Sequence, residues 1–240
     1  MDSFFKLVAA AIVGAAILAC GYFIGKGLTG FRSDNRAITV KGLAEKTVEA
    51  DFVVWPLSFR RAGNEFNLVQ QALVADRERV LDFLKKRGFV ETEIEVRPLT
   101  VKDLLAREFA QNNQAFRFNG TGSILVKTKR VQEVENAALA LDPLTQAGVQ
   151  LAGEGDGVGG PRYQLLGFNA VKSSLLSEAT KSAREQATKF AAEAGATLGP
   201  LRSANQGAIR LTSDDGSEGD DGSSRMKRLR VVSTFEYALQ

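Results

Sequence analysis

Apolar residues recur at two different periods along the chain, and the changes of period mark its elements. Between Ile38 and Val48, the residues Ile38, Val40, Gly42, Ala44 and Val48 share one parity, as in a strand with one covered face. From Phe52 to Phe59 both parities are apolar, with Phe52 and Val54 on one and Val53, Trp55, Leu57 and Phe59 on the other. That pattern predicts a strand buried on both faces at one end, and Pro56 within it predicts an edge or a bulge. A helical period then takes over: Val69, Ala72, Leu73, Val80, Phe83 and Leu84 form a stripe, with Asn64 as the predicted N-cap and Gly88 as the stop after about Arg87. Asp76 and Arg77 interrupt the stripe and read as a local pair or a solvated gap. Lys85, Lys86 and Arg87 complement the helix dipole, which accounts for the basic triplet without nucleic acid.

Ile94–Phe109 and Ala115–Thr128 read as the next two strands. Phe116, Phe118, Gly120, Gly122, Ile124 and Val126 all fall on one parity. A hairpin turn at Asn119-Gly120 is therefore not needed, and the turn is placed at Gln111–Gln114. The two glycines become close-packing positions or a bulge. Val131–Leu141 is predicted as a helix ending near Asp142-Pro143, Tyr163–Phe168 as a short strand, and Ser174–Ala194 as a helix with an alanine-rich face. Leu201–Leu211 should hold a strand, and the last strand alternates through Leu229, Val231, Ser233, Phe235, Tyr237 and Leu239. The order ββαββ followed by αβαββ predicts an α+β fold, mainly antiparallel sheet with packed helices.

The N-terminus has no such alternation. Leu7 to Ile24 runs 18 residues without a charge, between Lys6 and Lys26, which meets the length for a transmembrane helix. Three readings compete: an uncleaved anchor, a signal peptide cut near Ala19, and a lipoprotein cut before Cys20. Leu18 is bulky for a lipobox and the apolar run continues through Tyr22, Phe23 and Ile24, so the anchor is preferred. The chain then divides into an anchor or signal segment (1–24), a polar linker (25–35) and one body (36–240). Lys26, Arg32 and Arg36 follow the span closely, and the positive-inside rule by itself leans toward a cytoplasmic body.

Composition narrows the chemistry. Of 240 residues, 44% are hydrophobic and 25% charged, which fits a globular body. No histidine is present, which removes the commonest general base and metal ligand. The one cysteine, Cys20, cannot form an internal disulfide or a thiolate zinc site. The net charge of +3 is too mild to indicate nucleic acid.

Three motifs bear on chemistry. Gly155-Asp156-Gly157-Val158-Gly159-Gly160 fits G-x-G-x-x-G formally, but Pro161 and a strand follow where a dinucleotide fingerprint needs a helix. Ser224-Arg225-Met226-Lys227 fits S-x-x-K but leads into a strand, where serine and lysine do not converge. The run from Ser213 to Ser224 carries Asp214, Asp215, Glu218, Asp220 and Asp221 as candidate ligands for a hard cation. Their spacing fits neither an EF-hand nor a calcium-binding nonapeptide, and a solvated loop between strands is the preferred reading.

Four stretches together resemble the SIMPL-domain family of mostly periplasmic or envelope-anchored bacterial proteins, which includes periplasmic immunogens and oxidative-stress-defence proteins. They are Ile38–Phe59, Val80–Leu104, Leu165–Gly207 and Lys227–Leu239, in the family's order. The resemblance implies an α+β domain, a cytoplasmic-membrane anchor, a body in the periplasm, and large oligomers in some members. It supplies no catalytic residue and no cofactor, and the loops Gly153–Gly160 and Ser213–Ser224 depart from its pattern. The expectation is a non-enzymatic, membrane-anchored envelope module that self-associates or binds a protein partner. The alternative is a ligand- or cation-binding module with a stress-related role, and an undescribed hydrolase ranks third.

Overall fold

A computed structural model of the chain describes residues 14–24, 36–106, 115–153, 159–217 and 219–240. The α+β class holds, with antiparallel sheets and five helices among these residues. A helix over 14–24, α1, is followed by β1 (Ala37–Glu49), β2 (Phe52–Gly63), α2 (Phe66–Lys86), β3 (Ile94–Val96), β4 (Thr100–Asp103) and β5 (Phe118–Thr128). Then come α3 (Val131–Ala138), α4 (Asp142–Gln146), β6 (Leu151–Ala152), β7 (Arg162–Gln164) and α5 (Phe168–Glu193). The chain ends with β8 (Leu198–Asn205), β9 (Ile209–Ser213) and β10 (Met226–Leu239). One sheet has the order β1-β10-β8, with β9 also on β10; the other runs β3-β5-β2-β6, with β4 on β5 and β7 on β2.

The chain forms two compact units: residues 1–44, 173–209 and 230–240, and residues 45–172 and 210–229. The second has the larger apolar core. On β2 the odd-numbered Val53, Trp55, Leu57 and Phe59 are buried and meet Leu73, Val80 and Leu84 of α2 and Ile124 and Val126 of β5. The β2–β5 ladder keeps one register from Val53 opposite Thr128 to Gly63 opposite Phe118. Gly120 and Gly122 are therefore close-packing positions and not a bulge. A Cβ on Gly120 would stand 2.5 Å from the Leu73 side chain, and one on Gly122 would stand 2.4 Å from the Phe59 ring.

In the first unit, α5 lies on the sheet through a stripe of buried alanines, Ala179, Ala183, Ala187 and Ala191. Ala183 and Ala187 cluster with Val40 of β1 and with Phe235 and Tyr237 of β10. The helix backbone comes so near β1 that a Cβ on Gly42 would stand 2.0 Å from the Ala179 carbonyl oxygen. Only hydrogen fits there, which explains why the alternation of β1 contains a glycine.

Several predicted boundaries are corrected. The strand expected over Ile94–Phe109 breaks into β3 and β4, with Pro98 between them; proline cannot extend a ladder there. Ala115 to Arg117 precede β5 instead of belonging to it. The helix expected over Val131–Leu141 stops at Ala138, and Pro143 opens the new helix α4, since its missing N–H costs nothing in a first turn. The strand expected over Tyr163–Phe168 ends at Gln164, and Phe168 already begins α5, six residues before the predicted start at Ser174. The strand predicted over Leu201–Leu211 is two, β8 and β9. Glu65 rather than Asn64 caps α2, and Asn64 instead accepts the Arg117 backbone N–H at 3.0 Å.

Two further expectations change. The second face of β2 is not deeply buried: Phe52, Val54 and Pro56 are half-buried. Pro56 is not on an edge strand. It falls between the residues paired with β6, Ser58 and Phe59, and those paired with β7, Phe52 to Val54, where no ladder bond is required. Asp76 is neither solvated nor paired with Arg77. It is fully buried and takes a two-pronged bond from Arg61, at 2.5 and 2.7 Å, plus one from Arg79 at 3.0 Å. The predicted turn at Gln111–Gln114 and the linker 25–35 lie outside the described residues.

A second ion pair pins the 3-10 turn Glu91–Glu93. Glu93 accepts from Arg130 at 3.0 and 2.7 Å, from the Thr128 hydroxyl at 2.5 Å and from the Val90 N–H at 3.0 Å. The Arg130 guanidinium, above all, lowers the Glu93 pKa to about 2.

Two outcomes follow. Gly42→Ala should lower the unfolding free energy in urea by about 1–3 kcal/mol, as overpacking does, while Leu43→Ala beside it should change it little. For Glu93 the folded pKa is depressed, so its contribution is complete above the ordinary carboxylate pKa and is lost as pH falls toward 2. Glu93→Gln should therefore cost on the order of 1–3 kcal/mol at pH 7. The gap to wild type should close steadily between about pH 5 and pH 2 in a pH series of denaturant melts.

Candidate functional site

The acidic loop between β9 and β10 is where the sequence concentrates chemistry. The four carboxylates described there do not converge. Asp214 accepts the Ser224 hydroxyl at 2.7 Å. Asp215 accepts the Ser217 N–H at 2.9 Å, and Asp221 accepts the Ser223 N–H and hydroxyl at 2.8 and 2.6 Å. These local bonds, from Ser217 and from Ser223, hold both carboxyls below the usual aspartate range. Asp220 turns the other way: it accepts from the Gly222 N–H at 3.1 Å, from the Ser213 hydroxyl at 3.3 Å, and from the Lys227 ammonium. Glu218 lies outside the described residues. Among the described residues, no three His, Cys, Asp or Glu side chains are placed to hold a metal ion.

The centre of this loop is a lysine of the chain itself. Lys227 is fully buried at the start of β10, beside buried Ser213. A buried ammonium is costly unless an anion meets it, and Asp220 does so. The loop thus folds its most inward carboxylate onto an internal cation and turns the others into caps of their own turns.

The remaining motifs resolve in the same direction. Ser224 donates to Asp214 and to the Met226 carbonyl, whereas Lys227 donates to Asp220, so S-x-x-K is not a nucleophile–base pair. The glycine run leads into strand β7, not a helix; residues 154–158 of it lie outside the described residues. Arg225, next to the loop, bonds Gln132 and Glu135 at 2.5 Å each and ion-pairs with Glu49 at 3.3 Å. Burial, helped by Glu135, raises the phenol pKa of neighbouring Tyr163.

Two grooves open on the surface. One, of about 610 Å³, runs beside α5 past Thr180, Arg184, Thr188 and Tyr237. The Thr180 and Thr188 hydroxyls donate back to the Leu176 and Arg184 carbonyls at 2.8 Å each. The other, of about 550 Å³, lies over Val54, Pro56, Ser58 and Leu125, with the Ser58 hydroxyl donating to Ser123 at 3.2 Å. Neither brings a nucleophile and a base together among the described residues.

The sheet edges offer the remaining feature. Around the β2–β5 sheet every edge strand is short: β3, β4, β6 and β7 span two to four residues each. On the β1–β10 sheet, β8 carries Pro200 and makes two register shifts against β10. Strand β1 has neither device. It runs 13 residues and, among the described residues, pairs on one side only, with β10. Short, kinked or proline-bearing edges resist pairing with another chain, and a long regular one invites it.

Of the segment read as a membrane anchor, residues 14–24 are helical and expose Leu18 and Phe23 by 76% and 71%; residues 7–13 lie outside the described residues. No helix among the described residues is long and apolar enough to cross a membrane. No curated protein matches the chain. The family model that does match spans residues 38–233, nearly the whole body, and is described as SIMPL, protein of unknown function (DUF541). The chain therefore belongs to the SIMPL family.

Proposed function

We propose that this protein is a non-enzymatic envelope module, anchored in the cytoplasmic membrane through the segment Leu7–Ile24, whose body acts in the periplasm by associating with copies of itself or with a protein partner. The observation that carries this reading is the contrast between β1 and every other edge. A regular strand of 13 residues paired on one side leaves a row of backbone donors and acceptors for another chain. The carboxylates of the acidic loop favour the same reading over cation binding, because each described one already serves a neighbouring group of the chain. The exposed apolar side chains of α1 support the anchor: Ile17, Leu18, Phe23 and Ile24 are each more than 60% exposed.

Two measurements test this. The full chain in mild detergent should show a mass above that of the monomer by sedimentation at micromolar concentration; a monomer mass across a concentration series would remove self-association. A reporter active only after export, fused after Gln240, should be active in cells. A fluorescent reporter that works only in the cytoplasm should stay dark at the same junction, and the reverse pattern would place the body inside.

A further inference from the structure

We propose that the groove beside α5 binds an amphiphile with a single carboxylate head, of which a long-chain fatty acid is the type, and that Arg184 and Tyr237 hold the head. The proposal does not depend on self-association, and every residue it uses lies in the first unit. The groove follows from how little of α5 is buried. Leu175, Ala179, Ala183, Ala187 and Ala191 are buried, one residue per turn, and the stripe sits on Val40 of β1 and on Phe235 and Tyr237 of β10. The next row of the helix, Thr180, Arg184, Thr188 and Ala192, is exposed and forms one wall of the groove. Strand β8 supplies the other wall, where Leu201 is 50% exposed.

Two polar groups of the groove are uncommitted. Tyr237 is only 6% exposed and packs in the apolar cluster with Ala183, Ala187 and Phe235, yet it lines the groove. Its hydroxyl has no hydrogen-bond partner among the described residues. Nor is it one of the fully enclosed orphan atoms, which are Trp55 Nε1 and Ser233 Oγ. The phenol therefore keeps an opening, and the groove is where the ring meets it. A buried donor without a partner is costly, and a ligand that bonds it recovers that cost. Arg184 is the one charged side chain of the lining, and its guanidinium makes no hydrogen bond or ion pair with any described residue. The register of β8 against β10 shifts on each side of Tyr237. Irregularities of this kind re-aim side chains and are common beside binding sites.

The chemistry of the lining selects the ligand. A guanidinium has only donors to offer and a phenol donates as well, which suits the two oxygens of a carboxylate. Ala192, Leu198, Pro200 and Leu201 make the rest of the groove apolar, which suits a hydrocarbon chain. Its volume of about 610 Å³ is that of an ordinary small-molecule site. A phosphate head carries a charge of about −1.5 to −2 and calls for a second cation, which the lining lacks. Beside the groove, Lys181, Arg184 and Lys189 share a shallow hollow with the single carboxylate Glu185, and this positive excess favours an anion at the mouth.

The test uses the full chain in amphipol and dodecanoate carrying a diazirine at its tail, with the labelled residues mapped by mass spectrometry. Irradiation should label the stretch from Ala192 to Leu201. Unlabelled dodecanoate should compete, whereas dodecanol and dodecyltrimethylammonium, which share the chain but not the charge, should compete about tenfold less well. Arg184→Gln should raise the half-maximal probe concentration about tenfold and Tyr237→Phe about threefold, while Glu185→Gln should not raise it. The urea melts of all three variants should match that of the wild type, so that a weakened site is not a lost fold. Labelling confined to Leu7–Ile24, equal competition by the three amphiphiles, or indifference to both Arg184→Gln and Tyr237→Phe overturns the proposal. Tighter competition by dodecyl phosphate than by dodecanoate overturns the carboxylate assignment. Labelling of the groove that appears only after dilution of the chain to monomer gives the groove to a second copy, and the proposal falls.

Discussion

The pairing of β1 with β10 is the constraint on which the rest of the structure turns. In the first unit the Leu239 N–H donates to the Arg36 carbonyl at 2.9 Å, and this pairing decides which side chains of both strands are covered. It places Val40, Phe235 and Tyr237 under α5 and makes Gly42 a position where nothing larger than hydrogen is admitted. It also decides which backbone groups of β1 are spent on β10 and which remain at the edge. A slip of one residue would reverse all of these assignments together, which is why the alternation of both strands is kept so strictly.

The larger core shows a different economy. Its apolar part is conventional: odd-numbered residues of β2 against α2 and β5. Three charges are nonetheless drawn into or against it, and each finds its counter-ion inside the same unit. Asp76 is fully buried and held by Arg61 and Arg79, Lys227 is fully buried and met by Asp220, and Glu93 is clasped by Arg130. Charges removed from water need partners of this geometry, and removing one member leaves the other stranded. These nodes tie together segments far apart in sequence: Arg61 also reaches the Gly148 carbonyl at 2.6 Å, and Arg130 reaches that of Gly88 at 3.0 Å. They account for these buried charges by structural need.

Much of this was legible in the sequence. The alternation of β10 and β1, the helical stripes of α2 and α5, and the single parity through Gly120 and Gly122 all survive in the structure, because each is a local period imposed by one covered face. The failures lie where long-range contacts decide. Asp76 has Arg77 beside it in sequence but Arg61 beside it in space. A usable signal existed: Arg61 shares the buried parity of Leu57 and Phe59, and Asp76 sits within the apolar stripe of α2, so two opposite charges lay on two covered faces. Lys227 likewise shares the parity of Leu229 and Val231, just after an acidic run. Read that way, the acidic run announces an internal counter-ion before it announces a metal site. Strand breaks at Pro98 and Gly207 were missed because alternation persists across them while the backbone does not.

Edge chemistry connects the fold to its role. A sheet protein that stays alone in solution blunts every edge, and the β2–β5 sheet does so with strands too short to template a partner. Strand β8 is blunted by Pro200 and by its shifts against β10. Measured against those guarded edges, β1 is the exception in length, at 13 residues, and among the described residues it pairs on one side only. An edge that merely avoided aggregation would gain from like charges or a proline at its centre. In a body whose buried charges are paired internally, the open edge of β1 is the place where recognition of another chain would act.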